Sequence, residues 1–239
     1  MFGDDLKRLG VGFAACGLAL AVGLVSTSAD AGFIATTDRI SLDDLDDGQT
    51  LQVGDKIFGD FSFSSFGTGG AIAPAAADLF VTGGIDTDTG DIGLKFEESW
   101  NAASGQTLNV NFDFTVMVAP EAPDFFIDGV SAILLNASAT GNGVVNFSET
   151  VLDGPVPAGD LLGVLSASVD AIFADIEDGI TFDPVKKIHV FKDISVTGGV
   201  QGSGHLSEFF QFYSQVPEPG SILLLLSGGT LMAMRRRYA

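Results

Sequence analysis

The sequence predicts an all-β protein: a two-sheet antiparallel sandwich, jelly-roll-like, flanked by an N-terminal signal helix and a short C-terminal transmembrane helix. Three observations carry this. From Thr107 to Val118, the residues Leu108, Val110, Phe112, Phe114, Val116 and Val118 alternate with Thr107, Asn109, Asn111, Asp113, Thr115 and Met117. Period-two alternation puts the first set on a core face and the second in water. The chain holds 20 Phe and 31 Gly, with few good helix formers, a composition that favours strands and turns. About nine or ten strand-like segments alternate with Gly, Pro and Asp turns between residues 32 and 215, the spacing of a sandwich rather than of a repeat array.

Residues 1–31 have the build of a secretory signal peptide, which would deliver the chain to the Sec translocon. Lys7 and Arg8 close the basic region, Leu9 to Val25 is apolar, and Ala29-Asp30-Ala31 is a small-x-small cleavage site with Gly32 as the new N-terminus. Phe13-Ala14-Ala15-Cys16 offers a competing lipobox. The apolar run continues well past Cys16, which argues against cleavage there. Cys16 is the only cysteine, so the exported body has no disulfide, no Cys-ligated metal and no Cys nucleophile.

The body is strongly acidic. Between Gly32 and Val216 there are 6 basic and 27 acidic residues. Such a surface repels phosphate backbones, so nucleic acid is not a partner. Asp43, Asp44, Asp46 and Asp47 precede a glycine and read as a solvated acidic turn. Calcium is the one candidate cofactor there and at Asp86 to Asp91, because hard cations prefer clustered carboxylates. Counted from Asp86, Glu97 falls at the twelfth position of an EF-hand loop. Asp91 stands where that loop needs glycine, so a hairpin turn closed by Gly90 is the simpler account.

Thr50 to Phe66 and Asp78 to Ile85 carry strand signals around a Gly/Ala loop. In Ile92 to Trp100, the residues Ile92, Leu94, Phe96 and Trp100 share one parity. With Thr107 to Val118 this segment predicts a hairpin through Asn101 to Gln106, the centre of the fold. Six inward residues on the second strand are worth on the order of 10 kcal/mol of burial. Phe125–Ile127 and Ser131–Ala139 predict two strands about a turn at Asp128-Gly129. Val144–Leu152 predicts another. Leu161 to Ile176 is open between strand and short helix, and 175–179 reads as an acidic turn. Lys186 to Thr197 alternates again, with Ile188, Val190, Ile194 and Val196 on one side and His189 on the other. His205 to Ser214 is the last strand, with Leu206, Phe210 and Phe212 on one side.

The tail has three parts in order. Val216-Pro217-Glu218-Pro219-Gly220 is an extended, proline-held motif. Ile222 to Met234 is uncharged, and Arg235, Arg236 and Arg237 follow. The apolar run spans roughly 20 Å as a helix, short of the roughly 30 Å hydrocarbon core. It suits a transient membrane hold, with the arginines retained in the cytoplasm. This tail resembles the PEP-CTERM sorting signal of Gram-negative bacteria, also catalogued as an ice-binding-protein C-terminal domain. The resemblance covers about the last two dozen residues and is silent on the body. It implies processing by an exosortase-type membrane protease, and passage from the inner membrane to the cell surface or extracellular matrix.

No P-loop, dinucleotide fingerprint, HExxH or GxSxG occurs, so the sequence nominates no catalytic, cofactor or metal residue. Three expectations remain. The first is a structural protein of the surface or of extracellular polysaccharide. The second is a carbohydrate-binding or adhesive sandwich, with or without calcium. The third and least is a polysaccharide-modifying enzyme.

Overall fold

A computed structural model describes residues 32–154 and 159–217. The expected signal peptide with Ala29 and Ala31 lies outside the described residues, as do Glu218, Pro219, Gly220, the apolar run and Arg235 to Arg237. No helix among the described residues is long and apolar enough to cross a membrane.

The body is a sandwich of two antiparallel sheets. In chain order the elements are β1 (Phe33–Ala35), β2 (Ile40–Ser41), α1 (Leu42–Asp46), β3 (Leu51–Val53), β4 (Lys56–Thr68), β5 (Phe80–Asp86), β6 (Ile92–Ala102) and β7 (Thr107–Val118). Then come β8 (Phe125–Leu135), β9 (Ser138–Gly141), β10 (Val144–Leu152), β11 (Leu161–Asp170), β12 (Ala174–Asp175), β13 (Glu177–Val185), β14 (Lys187–Thr197) and β15 (Gly202–Pro217). An eight-stranded sheet runs β1-β5-β6-β15-β8-β13, with β2 on β5 and β9 on β15. A seven-stranded sheet runs β12-β11-β10-β14-β7-β4-β3. Within these, β6-β15-β8-β13 faces β7-β14-β10-β11, the interleaved order of a jelly roll.

That order corrects the central expectation. β6 and β7 do not form a hairpin: β6 pairs with β5 and β15, and β7 with β4 and β14. The segment between them carries the chain from one sheet to the other. Alternation specifies which face of a strand is buried but not which strand it pairs with. The buried faces themselves are as expected. Leu108, Val110, Phe112, Phe114 and Val116 are at most 1% exposed, and rings of Phe96, Phe112, Phe114, Phe147 and Phe209 pack across the gap. One outward residue departs: Thr115 is buried, its hydroxyl donating to Gly59 O at 3.2 Å and Asp60 Oδ2 at 3.0 Å.

Several local expectations change. The acidic segment 43–47 forms most of α1 and its C-terminal cap rather than a simple turn. Ser41 caps it by accepting from Asp44 N–H, and Leu42 and Leu45 are fully buried beneath a carboxylate-rich exterior. Asp43 and Asp44 in the first turn suit the positive end of the helix. Asp128-Gly129 lies within β8, at a register shift against β15, instead of turning the chain. Leu161 to Asp170 is a strand, and Asp175 and Glu177 to Gly179 are strand residues also. The turn at Asp86 to Asp91 does close a hairpin between β5 and β6, with Gly90 at φ 82°.

The last strand carries the largest correction. A register shift between Leu206 and Glu208 reverses the parity of β15 against β6. Leu206, Phe209, Gln211 and Tyr213 are buried toward the core, while Phe210 and Phe212 form a separate cluster with Leu135, Phe33 and Ile133. Phe33 reaches that cluster across the sheet and stacks on Phe210 at 4.8 Å. Gly84 and Gly93 permit this, since a Cβ at either would overlap the Phe33 or Phe212 ring. Val216 and Pro217, expected to stand clear as an accessible motif, pair with Phe126 and Phe125 of β8. Proline is tolerated there because β6 ends its pairing at Tyr213, leaving that side of β15 open.

Candidate functional site

The outer face of the seven-stranded sheet is the candidate site. The side chains that leave the core on β4, β7, β14, β10 and β11 lie in cross-strand rows. One row runs Ser64, Asn111, Asp193, Ser148 and Ser166. The next runs Phe66, Asn109, Ser195, Asn146 and Ser168, and another Ser62, Asp113, Phe191, Thr150 and Val164. Registered neighbours on one face sit close enough to act on one ligand. The surface is therefore a grid of hydroxyl, amide and carboxylate groups set on paired strands. Apolar side chains rise among these rows: Phe191 at 37% exposure, Val164 at 51% and Phe66 at 54%.

Part of this face is held by its own contacts. Asp113 Oδ2 meets His189 Nε2 at 2.9 Å, and Ser62 Oγ donates to the other Asp113 oxygen. The imidazole stacks on Phe191, centroids 5.3 Å apart, which fixes the outward ring. His189, expected as a surface strand residue, is thus a half-buried support for the aromatic platform. The carboxylate stands between the hydroxyl and the imidazole, so the order of groups is not that of a nucleophile activated by a histidine.

A second feature is a cleft of about 410 Å³ at one end of the sandwich. It lies between the β4–β5 connection and the end of β6, and Asp78, Glu98, Asn101 and Gln106 line it. The register shift at Trp100/Glu97 places Glu98 at a bulge, a device that re-aims a side chain. Burial pushes the Glu98 carboxyl up from its ordinary value; nearby Asp78 adds to this, while the Ser99 N–H and Arg39 oppose it. Asn101 is fixed by Ser99 Oγ at 2.7 Å and His205 Nδ1 at 2.7 Å.

The acidic turns do not assemble a metal centre: among the described residues no group of three or more His, Cys, Asp or Glu is placed to hold an ion. Asp86 turns its carboxylate onto its own loop, accepting from Asp88 N–H at 2.9 Å and Thr89 Oγ1 at 3.0 Å. Of the residues that the sequence led one to expect as sorting motif and cleavage site, the structure places Val216, Pro217 and Gly32. The Gly32 carbonyl accepts from Thr87 N–H at 2.8 Å. Trp100 and Tyr213, residue types that can stack on sugars, are both fully buried in the core.

No protein-family model matches the chain, and no curated protein matches it. Among solved structures, it is similar to TmCBM61, described in complex with β-1,4-galactotriose. The identity is 10% and the TM-score 0.34, over 64% of this chain and 88% of that one. It is also similar to a family 11 carbohydrate-binding module from Clostridium thermocellum, with 10% identity and a TM-score of 0.25, over 72% and 95% of the two chains. A third is a family two carbohydrate esterase from Cellvibrio japonicus, at 14% identity and a TM-score of 0.22, over 66% of this chain and 36% of that one. Likenesses this slight do not bear on the ligand of this chain.

Proposed function

We propose that this chain is an exported sandwich that binds a neutral extracellular polysaccharide on the outer face of its seven-stranded sheet. Its tail delivers it to the cell surface or matrix through an exosortase-type enzyme. The observation that carries the binding role is the face itself, a registered grid of Ser, Asn and Asp around the outward rings of Phe191 and Phe66. Sugar hydroxyls both donate and accept, and this mix of side chains does the same. An aromatic ring gives the apolar face of a pyranose a platform. The groups stand on paired strands, so little order is lost on binding. The chain's net charge of −20 disfavours anionic polymers. The role is binding without turnover.

The test is a panel of neutral polysaccharides, including the producer's own polymer, in affinity electrophoresis and calorimetry with and without calcium. Phe191→Ala and Asn111→Ala should each weaken binding by about tenfold, the equivalent of about 1.4 kcal/mol, with unfolding unchanged. Silence of the native protein on every polymer removes the reading. A purely structural matrix role is the second reading, favoured by one feature. β15 runs without a spacer into Val216 and Pro217, so the body and the sorting motif are mechanically continuous.

A further inference from the structure

The core of the sandwich contains a closed triangle of polar groups that the binding face does not use. Lys192 of β14 and Glu149 of β10 are registered cross-strand partners, and both point inward. Gln211 of β15 meets them from the opposite sheet. Lys192 Nζ donates to Glu149 Oε2 and to Gln211 Oε1, and Gln211 Nε2 donates to Glu149 Oε1 at 3.0 Å. All three residues are at most 1% exposed. The rings of Phe147, Phe209 and Phe114 surround the nitrogen, with centroids 5.1, 5.5 and 5.7 Å away. One amine, one carboxamide and one carboxyl that touches both nitrogens are sealed from water together.

We propose that Lys192 and Gln211 join in an intramolecular amide bond, with Glu149 relaying the proton. The Lys192 nitrogen attacks Cδ of Gln211, and the Nζ–Cδ bond forms. Glu149 takes a proton from Nζ on Oε2 and gives one to Nε2 from Oε1. The Cδ–Nε2 bond breaks, ammonia leaves, and the carboxyl ends as it began. No oxidant, metal or cofactor enters the balance. Burial favours the uncharged partners, lowering the Lys192 pKa and raising that of Glu149, which supplies a nucleophilic amine and an acid together. The contacts hold Nζ against the Gln211 carboxamide and Glu149 against both nitrogens, which lowers the entropic part of the barrier. Exclusion of water protects the product from hydrolysis.

The bond would tie the middle of one sheet to the middle of the other, on the strand that leads into the tail. Tension applied through Val216 would then be carried by a covalent link rather than by β15 pairing alone. A second lysine, Lys56, meets Gln215 of the same strand, but its carboxylate partner Asp55 has no hydrogen bond to the Gln215 amide nitrogen. That arrangement lacks the relay and is not assigned a bond.

High-resolution mass spectrometry of the full-length chain's product, digested at Lys, Arg and Glu, decides the matter. The expected result is a peptide beginning at Ile188 joined to one beginning at Phe209, lighter than their sum by one ammonia, about 17 Da. Glu149→Gln should yield folded protein with separate peptides, and Lys192→Met, which fits the apolar cage, likewise. Separate, unmodified peptides from the native protein overturn the proposal. So does a link from Lys192 to Glu149, which would be lighter by one water instead. A Glu149→Gln protein that still carries the link overturns the relay.

Discussion

Lys56 shows how a single side chain can carry charge into this sandwich. It is fully covered, while its partner Asp55 remains partly solvated, and Nζ donates to both Asp55 oxygens at 2.9 and 3.0 Å. Burial lowers its pKa, and the hydrogen bond and charge of Asp55 oppose that shift. The folded value thus lies below the 10.5 of the unfolded chain. Between the two values the unfolded chain holds a proton that the folded one has released. Stability therefore rises with pH across that window, by up to about 1.4 kcal/mol per pH unit, and the rise stops above the unfolded value. Lys56→Met should abolish this rise. Denaturant unfolding of both proteins across the alkaline range checks it, and a native-minus-variant difference that falls toward the unfolded pKa would contradict the assignment. Lys192 and Glu149 were passed over in the sequence, although the alternation carries a sign of them. Each occupies an inward position in an otherwise apolar alternation, Ile188-Val190-Lys192-Ile194-Val196 and Val145-Phe147-Glu149-Val151. A charge at such a position calls for a partner on the same face. The partnership with Gln211 was not legible, because it spans two sheets.

Among the elements, β1 is short but does more than its three residues imply. Phe33 lies over Gly84 of β5 and packs on Phe210 and on Phe212, whose own ring lies over Gly93 of β6. Phe33→Ala should cost about 2 kcal/mol and expose the other two rings. The midpoint of denaturant unfolding and binding of a hydrophobic dye would read both effects. Unchanged stability would mean that the stack contributes nothing. The strand signals in β7, β10 and β14 were accurate because long alternation with one buried face has a single reading. β15 was misread because a bulge reverses parity without a mark in the residues. The hairpin of β6 and β7 was misread because adjacent strands in sequence usually pair, and the jelly roll is an exception.

For the molecule as a whole, β15 continues into Val216 and Pro217 of the proposed sorting motif, which limits where the body can be separated from its tail. Truncation after Pro217 keeps the pairing of Val216 and Pro217 with β8, whereas truncation before Val216 removes it. Both should abolish surface deposition and release the body into the periplasm or medium. The shorter form should also be the less stable, which fractionation and thermal unfolding would measure. Equal deposition with and without the tail would remove the delivery role. What the sequence determined alone was the class, the acidic character and the buried faces of the regularly alternating strands such as β7, β10 and β14, since each depends on residue type and local period. Strand partners, the outward aromatic platform and the Lys192–Glu149–Gln211 triangle were decided only by the tertiary structure. They join residues far apart in the chain, and the free energy that selects such contacts comes from burial between sheets rather than from any local preference.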